Sequence, residues 1–382
     1  MIPGLNGIRA IAYLAIFFHH AGYIKSGWLG VQLFFVLSGF LITTVLIKAK
    51  PEIRFRQYYV QFISRRFFRI FPLYYFFILL VILFSSIATY QQYKPFLMDK
   101  VRENLPYASL FIYNFFASLK KSPEPYFLVH LWSLCVELQF YLIWPIVIYL
   151  TSKRYLRHVL LAAILSGPVF RFVFYLAIEH GMMGFFKAPS SLAMYTLPFS
   201  HVDAFAFGAY ISQFEIKHAK KKMIYVGLIA LFAGYLSSYI ATGQAGDITE
   251  FGYPVTLPIA YQFIWAYTLL NYFFALLIYL VVLDGLWLKL LEWQPLFYLG
   301  KISYGLYIFH VPMLWLVARL RDIHGFESIT TAEVSILAFL ATLLISAFSY
   351  RFIDEPILRL KDKLTSCSLP HEIIQNAQVV SK

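Results

Sequence analysis

About ten stretches of this chain stay apolar for the length of a bilayer crossing, with little polar sequence between them. A helix needs roughly 20 such residues to cross about 30 Å of hydrocarbon, because each residue rises about 1.5 Å. The stretches lie at 5–24, 29–48, 70–90, 126–150, 156–178, 197–214, 223–243, 257–283, 296–320 and 331–353. Inside hydrocarbon every backbone N–H and C=O has to be bonded within the protein, so apolar segments of this length fold as helices. The predicted class is an all-α integral membrane protein, a polytopic bundle of about ten transmembrane helices. Only 13% of the residues are charged, against about a quarter in soluble domains. One membrane domain over 1–358 is expected, then a polar cytoplasmic tail, 359–382, with the composition of a disordered segment.

The formal net charge of +13 could point to nucleic acid. The distribution of the basic residues points to the membrane instead. With the N-terminus inside, cytoplasmic segments hold Lys48, Lys50, Arg54, Arg56, Arg65, Arg66 and Arg69, then Lys153, Arg154 and Arg157, then Lys217 and Lys220 to Lys222. Basic residues collect on that side of membrane proteins, which predicts an N-in/C-in arrangement and no nucleic-acid partner. The 91–125 loop, with Lys94, Lys100 and Arg102, runs against this trend. Segment 51–69 alternates cationic and aromatic residues, as a helix lying on the inner membrane surface does. Segment 104–118 is apolar but short, and is read as interfacial or partly re-entrant. No internal repeat of the secondary-transporter kind is visible. Cys135 and Cys367 form no disulfide framework. The N-terminus lacks the basic region and cleavage site of a signal peptide.

Charged and titratable groups inside the spans cost free energy and are therefore candidates for function. In the first span Arg9 and His20 are eleven residues apart, which returns them to one helix face about 20° off and roughly 16 Å apart along the axis. Tyr13 falls between them on that stripe, whereas His19 points about 100° away. A structural alternative has Arg9 reaching the inner phosphates and His20 closing the outer helix end. In the fourth span His130, Ser133, Glu137 and Tyr141 share one face. Glu137 sits near mid-membrane, so it has to be protonated, paired with a cation or open to a watery cavity. The sixth span opens with His201 and Asp203. The ninth carries Lys301 near the inside, with Ser303, Tyr307 and His310 along one face. Arg66 and Arg69 stand three apart before Pro72, a spacing that suits guanidinium binding of phosphate or a plain juxtamembrane cluster. Ser38 and Gly39 read as close helix packing. There is no glycine-rich phosphate loop, no Cys/His metal spacing and no serine-hydrolase elbow in the sequence.

These residues lie within blocks that resemble the acyltransferase 3 family of integral membrane acyltransferases. The blocks are LNGIRAIAYLAIFFHHAG, LGVQLFFVLSGFLI, RRFFRIFPLYY, HLWSLCVELQFYLIWP, HVDAFAFGAY, LGKISYGLYIFHVP and YRFIDEP, in family order over about residues 4–356. The family's motifs fall on Arg9 and His20, on Arg66 and Arg69, and on Glu137. Two positions depart from the family pattern: Leu138 stands where a second acidic residue is common, and His201 where Arg is common. Many relatives carry a C-terminal esterase-like domain, and this chain is read as a stand-alone form.

The resemblance implies transfer of an acyl group, usually acetyl, from cytoplasmic acyl-CoA to a hydroxyl of a glycan or lipid-linked sugar at the outer face of the cytoplasmic membrane. Sugars of the lipopolysaccharide or exopolysaccharide type are the first expected acceptors, with peptidoglycan, a lipid-linked oligosaccharide or a small secondary metabolite also open. Acyl-CoA would be a substrate, with no tightly bound cofactor and no metal. His20 is expected to act as general base with Glu137 orienting it or holding the acceptor. An acyl-His20 intermediate is the other route. Arg9, Arg66, Arg69 and Lys301 would bind the donor. His130, Ser133, His201, Asp203, Tyr307 and His310 are candidates for the acceptor site. The competing class is a transporter or proton-coupled permease that uses the buried Arg, His and Glu residues. No pattern assigns an oligomeric state.

Overall fold

The computed structural model describes residues 2–51, 54–90, 94–119, 126–184, 186, 188–244, 246–255, 261–323 and 328–364. Among them the regular structure is helical throughout. In chain order the helices are α1 (Leu5–His20), α2 (Leu29–Ala49), α3 (Phe55–Tyr90), α4 (Pro95–Ser109), α5 (Tyr113–Leu119), α6 (Leu131–Leu150), α7 (Lys153–Glu179) and α8 (Ser190–Thr196). They continue with α9 (Val202–Ile211), α10 (Ala219–Thr242), α11 (Gln262–Asp284), α12 (Leu288–Leu291), α13 (Gln294–Lys301), α14 (Ser303–Ile323), α15 (Thr331–Ser349) and α16 (Glu355–Leu364). Seven helices among the described residues are long and apolar enough to cross a membrane, or eight if the bent pair α13–α14 forms one span. Residues 359–364 of the expected tail continue helix α16, and 365–382 lie outside the described residues.

Several expected spans differ in shape, each for a local reason. The first stops at His20 because Gly22 turns left-handed at φ 85° and the Tyr23 amide bonds back to the Phe18 carbonyl. The sixth is only ten residues of helix, since Pro198 opens a short 3-10 turn before it. Segments 51–69 and 70–90, read as a surface helix and a separate span, form the single 36-residue helix α3, which runs through Pro72. Segment 104–118 is divided between α4 and α5, broken where Phe111 adopts φ 55°. The break is tolerated because Gln139 of α6 donates to the freed Phe111 carbonyl at 3.0 Å and clasps Asn114 at 2.9 Å. The ninth span bends by 79° at Ile302, between α13 and α14.

At the centre stands α2, apolar all round as a buried helix is. It packs on α1, α6, α9 and α11. Its approach to α9 needs glycine on both sides. A Cβ on Gly39 would lie 2.0 Å from the Phe205 carbonyl oxygen, and one on Gly208 would lie 1.9 Å from that of Val36. Gly39 therefore does what its sequence context implies. Ser38 does something else, donating to Glu137 at 2.5 Å. Helices α7, α10 and α15 turn long aliphatic residues such as Leu165, Ile229 and Leu344 outward, the surface that lipid covers.

Candidate functional site

Three of the polar stripes read from sequence meet face to face. Helix α1 contributes Arg9, Tyr13 and His20; α14 contributes Ser303, Tyr307 and His310. Helix α6 runs the opposite way and contributes Tyr141, Glu137, Ser133 and His130, so the cationic ends and the imidazole ends coincide. The Ser133 hydroxyl meets the Tyr307 hydroxyl at 2.5 Å, and Tyr307 also donates to the His130 carbonyl at 3.1 Å. The rings of His130 and His310 lie 5.3 Å apart, and those of His20 and His310 lie 5.1 Å apart. The three stripes thus form one graded wall from guanidinium to imidazole.

The basic end is a cavity of about 440 Å³ lined by Arg9, Arg65, Arg66, Arg69 and Lys301, with Tyr58, Tyr304, Tyr350 and Asp354. The bend at Ile302 opens it, because the bend brings Lys301, Ser303 and Tyr304 to the same wall. Aromatic rings hold the cations in place: Arg66 lies over Phe62 and Tyr141 at 5.3 and 5.5 Å, and Lys301 lies over Tyr350 at 4.9 Å. A second chamber of about 100 Å³ continues inward, sharing Arg9, Arg66, Arg69, Ser303 and Tyr304 with the first. Glu137 and Tyr141 line this chamber, and it ends against Ser133 and Tyr307. Glu137 accepts from Ser38 and from Tyr141. It stands seven residues along α6 from His130, roughly 10 Å by helical rise. Glu137 thus shares the chamber of the arginines, and the side-chain bond of His20 runs to Tyr126.

At the other end each imidazole is held by an identifiable bond. His310 Nδ1 faces the Tyr307 carbonyl at 2.6 Å, and His130 Nε2 faces the Ile308 carbonyl at 2.9 Å. A carbonyl only accepts, so both of these nitrogens carry the proton. The opposite nitrogens, His310 Nε2 and His130 Nδ1, are buried lone pairs without a partner among the described residues, and the buried Tyr13 hydroxyl beside them has none either. His20 is half-buried. Its Nδ1 meets the Tyr126 hydroxyl at 3.1 Å, and that hydroxyl reaches the His20 carbonyl at 3.5 Å. The pattern closes when Nδ1–H donates to the phenol oxygen, leaving Nε2 as a base.

Two sequence candidates lie elsewhere. His201 stacks on Tyr267 at 5.7 Å, donates from Nε2 to the Tyr195 carbonyl and meets Gln32 through Nδ1 at 3.1 Å. Asp203 is fully buried against Arg171, with Nη2 to Oδ2 at 2.8 Å, and also accepts from Thr268 at 2.6 Å and from the Ala204 amide at 3.0 Å. Neither residue lines either cavity. The pair ties α7, α9 and α11 together, and Gly167 makes room for it, since a Cβ there would lie 2.6 Å from the Asp203 carboxyl carbon. His201 and Asp203 are thus removed from the three-stripe wall and placed in a closed network.

Arg65, Tyr126, Tyr304 and Arg171 were not among the candidate site residues expected from sequence. Arg65 and Tyr304 adjoin residues that were singled out. Arg171, a lone arginine in the middle of span five, carried the same signal as Arg9 and could have been found by it.

The fold and site define a polytopic helical membrane protein with a cationic cavity and, beyond the Ser133–Tyr307 end of its inner chamber, a histidine cluster. The acyltransferase 3 family, described as an acyltransferase domain, matches residues 2–351, and the chain belongs to that family. It is 27% identical to the O-acetyltransferase OatA of Staphylococcus aureus (strain MRSA252), over 99% of this chain and 60% of the relative. It is 25% identical to the peptidoglycan O-acetyltransferase OatA of Listeria monocytogenes, over 93% of this chain and 56% of the relative. The chain thus spans less than two thirds of the length of these curated relatives. No solved structure matches it.

Proposed function

We infer that this protein is a membrane O-acetyltransferase, which takes an acetyl group from acetyl-CoA in the cytoplasm and places it on a glycan hydroxyl at the outer face of the cytoplasmic membrane. The observation that carries the reading is the shared wall of the two chambers. Five cations stand at one end, where the phosphates of coenzyme A would bind, and a lane floored by Tyr141, Ser133 and Tyr307 leads from them toward the imidazoles. The pantetheine arm is long and thin, and a narrow second chamber suits it. The names of the relatives favour a peptidoglycan glycan over the lipopolysaccharide or exopolysaccharide sugars that the sequence alone put first. The N-in/C-in arrangement is part of this reading, because it puts Arg66, Arg69 and Lys301 on the donor side. So is the number of about ten crossings, with α1 and α9 crossing as short helices enclosed by longer ones.

In this reading His20 Nε2 takes the proton of the acceptor hydroxyl as its oxygen attacks the thioester carbonyl. Tyr126 holds the ring in the orientation that keeps Nε2 free. Arg9, Arg66 and Arg69 bind the donor phosphates. The Tyr307–Ser133 pair lies where hydroxyl donors could face the carbonyl oxygen as it gains charge.

The test uses membranes carrying the protein, radiolabelled acetyl-CoA and isolated cell-wall glycan. O-acetylated glycan is the expected product. The R66Q/R69Q variant is expected to raise KM for acetyl-CoA about tenfold or more with kcat little changed, because each lost charge-assisted bond is worth about 1.5–3 kcal/mol and 1.4 kcal/mol is tenfold. Absence of labelled glycan with the wild-type protein would contradict the assignment. An unchanged KM in the variant would remove these arginines from the donor site.

A further inference from the structure

The buried lone pair on His310 has no role in the reaction as described so far, and its surroundings give it one. Its Nδ1–H is committed to the Tyr307 carbonyl, so only Nε2 can gain or lose a proton. That nitrogen is buried and lacks a partner among the described residues. An unpaired buried acceptor of this kind is costly and calls for an explanation. The ring stands between the two ends of the site. On one side it is 5.1 Å from the half-buried His20 ring, and on the other it is 5.4 Å from the Tyr307 ring that ends the inner chamber.

Acyl transfer creates a need at both of these places. Once His20 has taken the acceptor's proton it is an imidazolium, and once the C–S bond has broken the sulfur is a thiolate. In water a thiolate leaves without assistance. Beneath a membrane surface, separated charges of opposite sign are costly until a proton joins them.

We propose that His310 carries this proton, as a relay from the acceptor side to the leaving sulfur; the proposal rests on the acetyltransferase reading above. The acceptor O–H bond breaks and its proton goes to His20 Nε2. The oxygen forms its bond to the acyl carbon, the C–S bond breaks, and its electron pair stays on sulfur. His20 Nε2–H passes the proton to His310 Nε2, which delivers it to the sulfur. The products are the O-acyl glycan and a free thiol, and both imidazoles end as they began. Throughout, the Tyr307 carbonyl holds His310 Nδ1–H and stabilises the transient imidazolium.

The relay makes the requirement for His310 depend on the leaving group, which a merely structural residue would not. The probe donors are acetyl-CoA and S-(4-nitrophenyl) thioacetate, whose thiolate is stable without a proton. The acceptor probe is a muramic-acid-containing oligosaccharide, and the protein is the full chain in lipid vesicles. His310→Asn and His310→Gln are expected to slow transfer from acetyl-CoA by about 10²-fold or more. Both are expected to stay within about threefold of wild type with the aryl thioester, and that activity also reports a folded protein. His20→Ala is expected to fail with both donors. Equal losses with the two donors in both His310 variants, or no loss with acetyl-CoA, would overturn the relay. Wild-type protein that acetylates from neither donor would overturn the acetyltransferase reading itself, and the relay with it.

Discussion

Alanine at His20 is expected to lower glycan acetylation by about 10²–10⁴-fold, the usual contribution of a positioned general base. The loss should fall on kcat. The cationic cavity is lined by Arg9, Arg66, Arg69 and Lys301, and His20 is not part of it. Stability should change little, because the ring is half-buried and its side-chain hydrogen bond runs to the exposed Tyr126. Labelled acetyl transfer and thermal unfolding, measured on the same vesicles, separate the two effects. Near-normal transfer by His20→Ala would mean that another group removes the proton.

The second large effect is expected where no chemistry is proposed. Asp203→Ala leaves Arg171 charged, buried and without its carboxylate, with 0% of either side chain exposed in the intact pair. Breaking a buried pair from one side costs about 3–5 kcal/mol, a large share of what holds a protein of this size together. Thermal unfolding in detergent should therefore drop steeply, and the folded yield with it. Replacing both partners together with apolar residues, as in R171M/D203L, should recover much of the loss, since two apolar side chains leave no orphaned charge. A direct acceptor role for Asp203 predicts the reverse pattern: stable protein, impaired transfer, and no recovery in the double variant.

The stripes were legible because helices obey a fixed period. Arg9 and His20 at eleven residues apart, His130 and Glu137 at seven, and Tyr307 and His310 at three each define a face from spacing alone. Their order along each helix was legible too, since it follows from residue number. What sequence could not supply was which faces meet. Asp203 and His201 looked like further members of the same set, with the right residue types at the outer end of a span. Only the packing of α9 against α2, α7 and α11 turns them away from the histidines and onto Arg171, Gln32 and Tyr267. Glu137 shows the same limit from the other side. Its helix face was legible, but its partners Ser38 and Tyr141 link it to the arginine end.

Breaks in the helices were the least visible feature. Nothing in LGKISYGLYIFHVP marks Ile302 as the point of a 79° bend, yet that bend opens the cationic cavity. The break at Phe111 has no proline or glycine at the residue itself, and it is stabilised from a distance by Gln139. Such features arise when a tertiary hydrogen bond replaces a local one, so local sequence carries little trace of them. The pairing of Tyr126 with His20, across 106 residues of sequence, is hidden for the same reason.

One protein is expected to join a donor bound on the inside to an acceptor on the outside. The most direct test places radiolabelled acetyl-CoA on the side of a sealed vesicle that Arg66 and Arg69 face, and a muramic-acid-containing oligosaccharide on the other. Label is expected in ester linkage on the oligosaccharide, lost with His20→Ala and absent when the donor is supplied on the oligosaccharide side. Labelled acetate or acetyl-CoA crossing the membrane with no ester formed would contradict it.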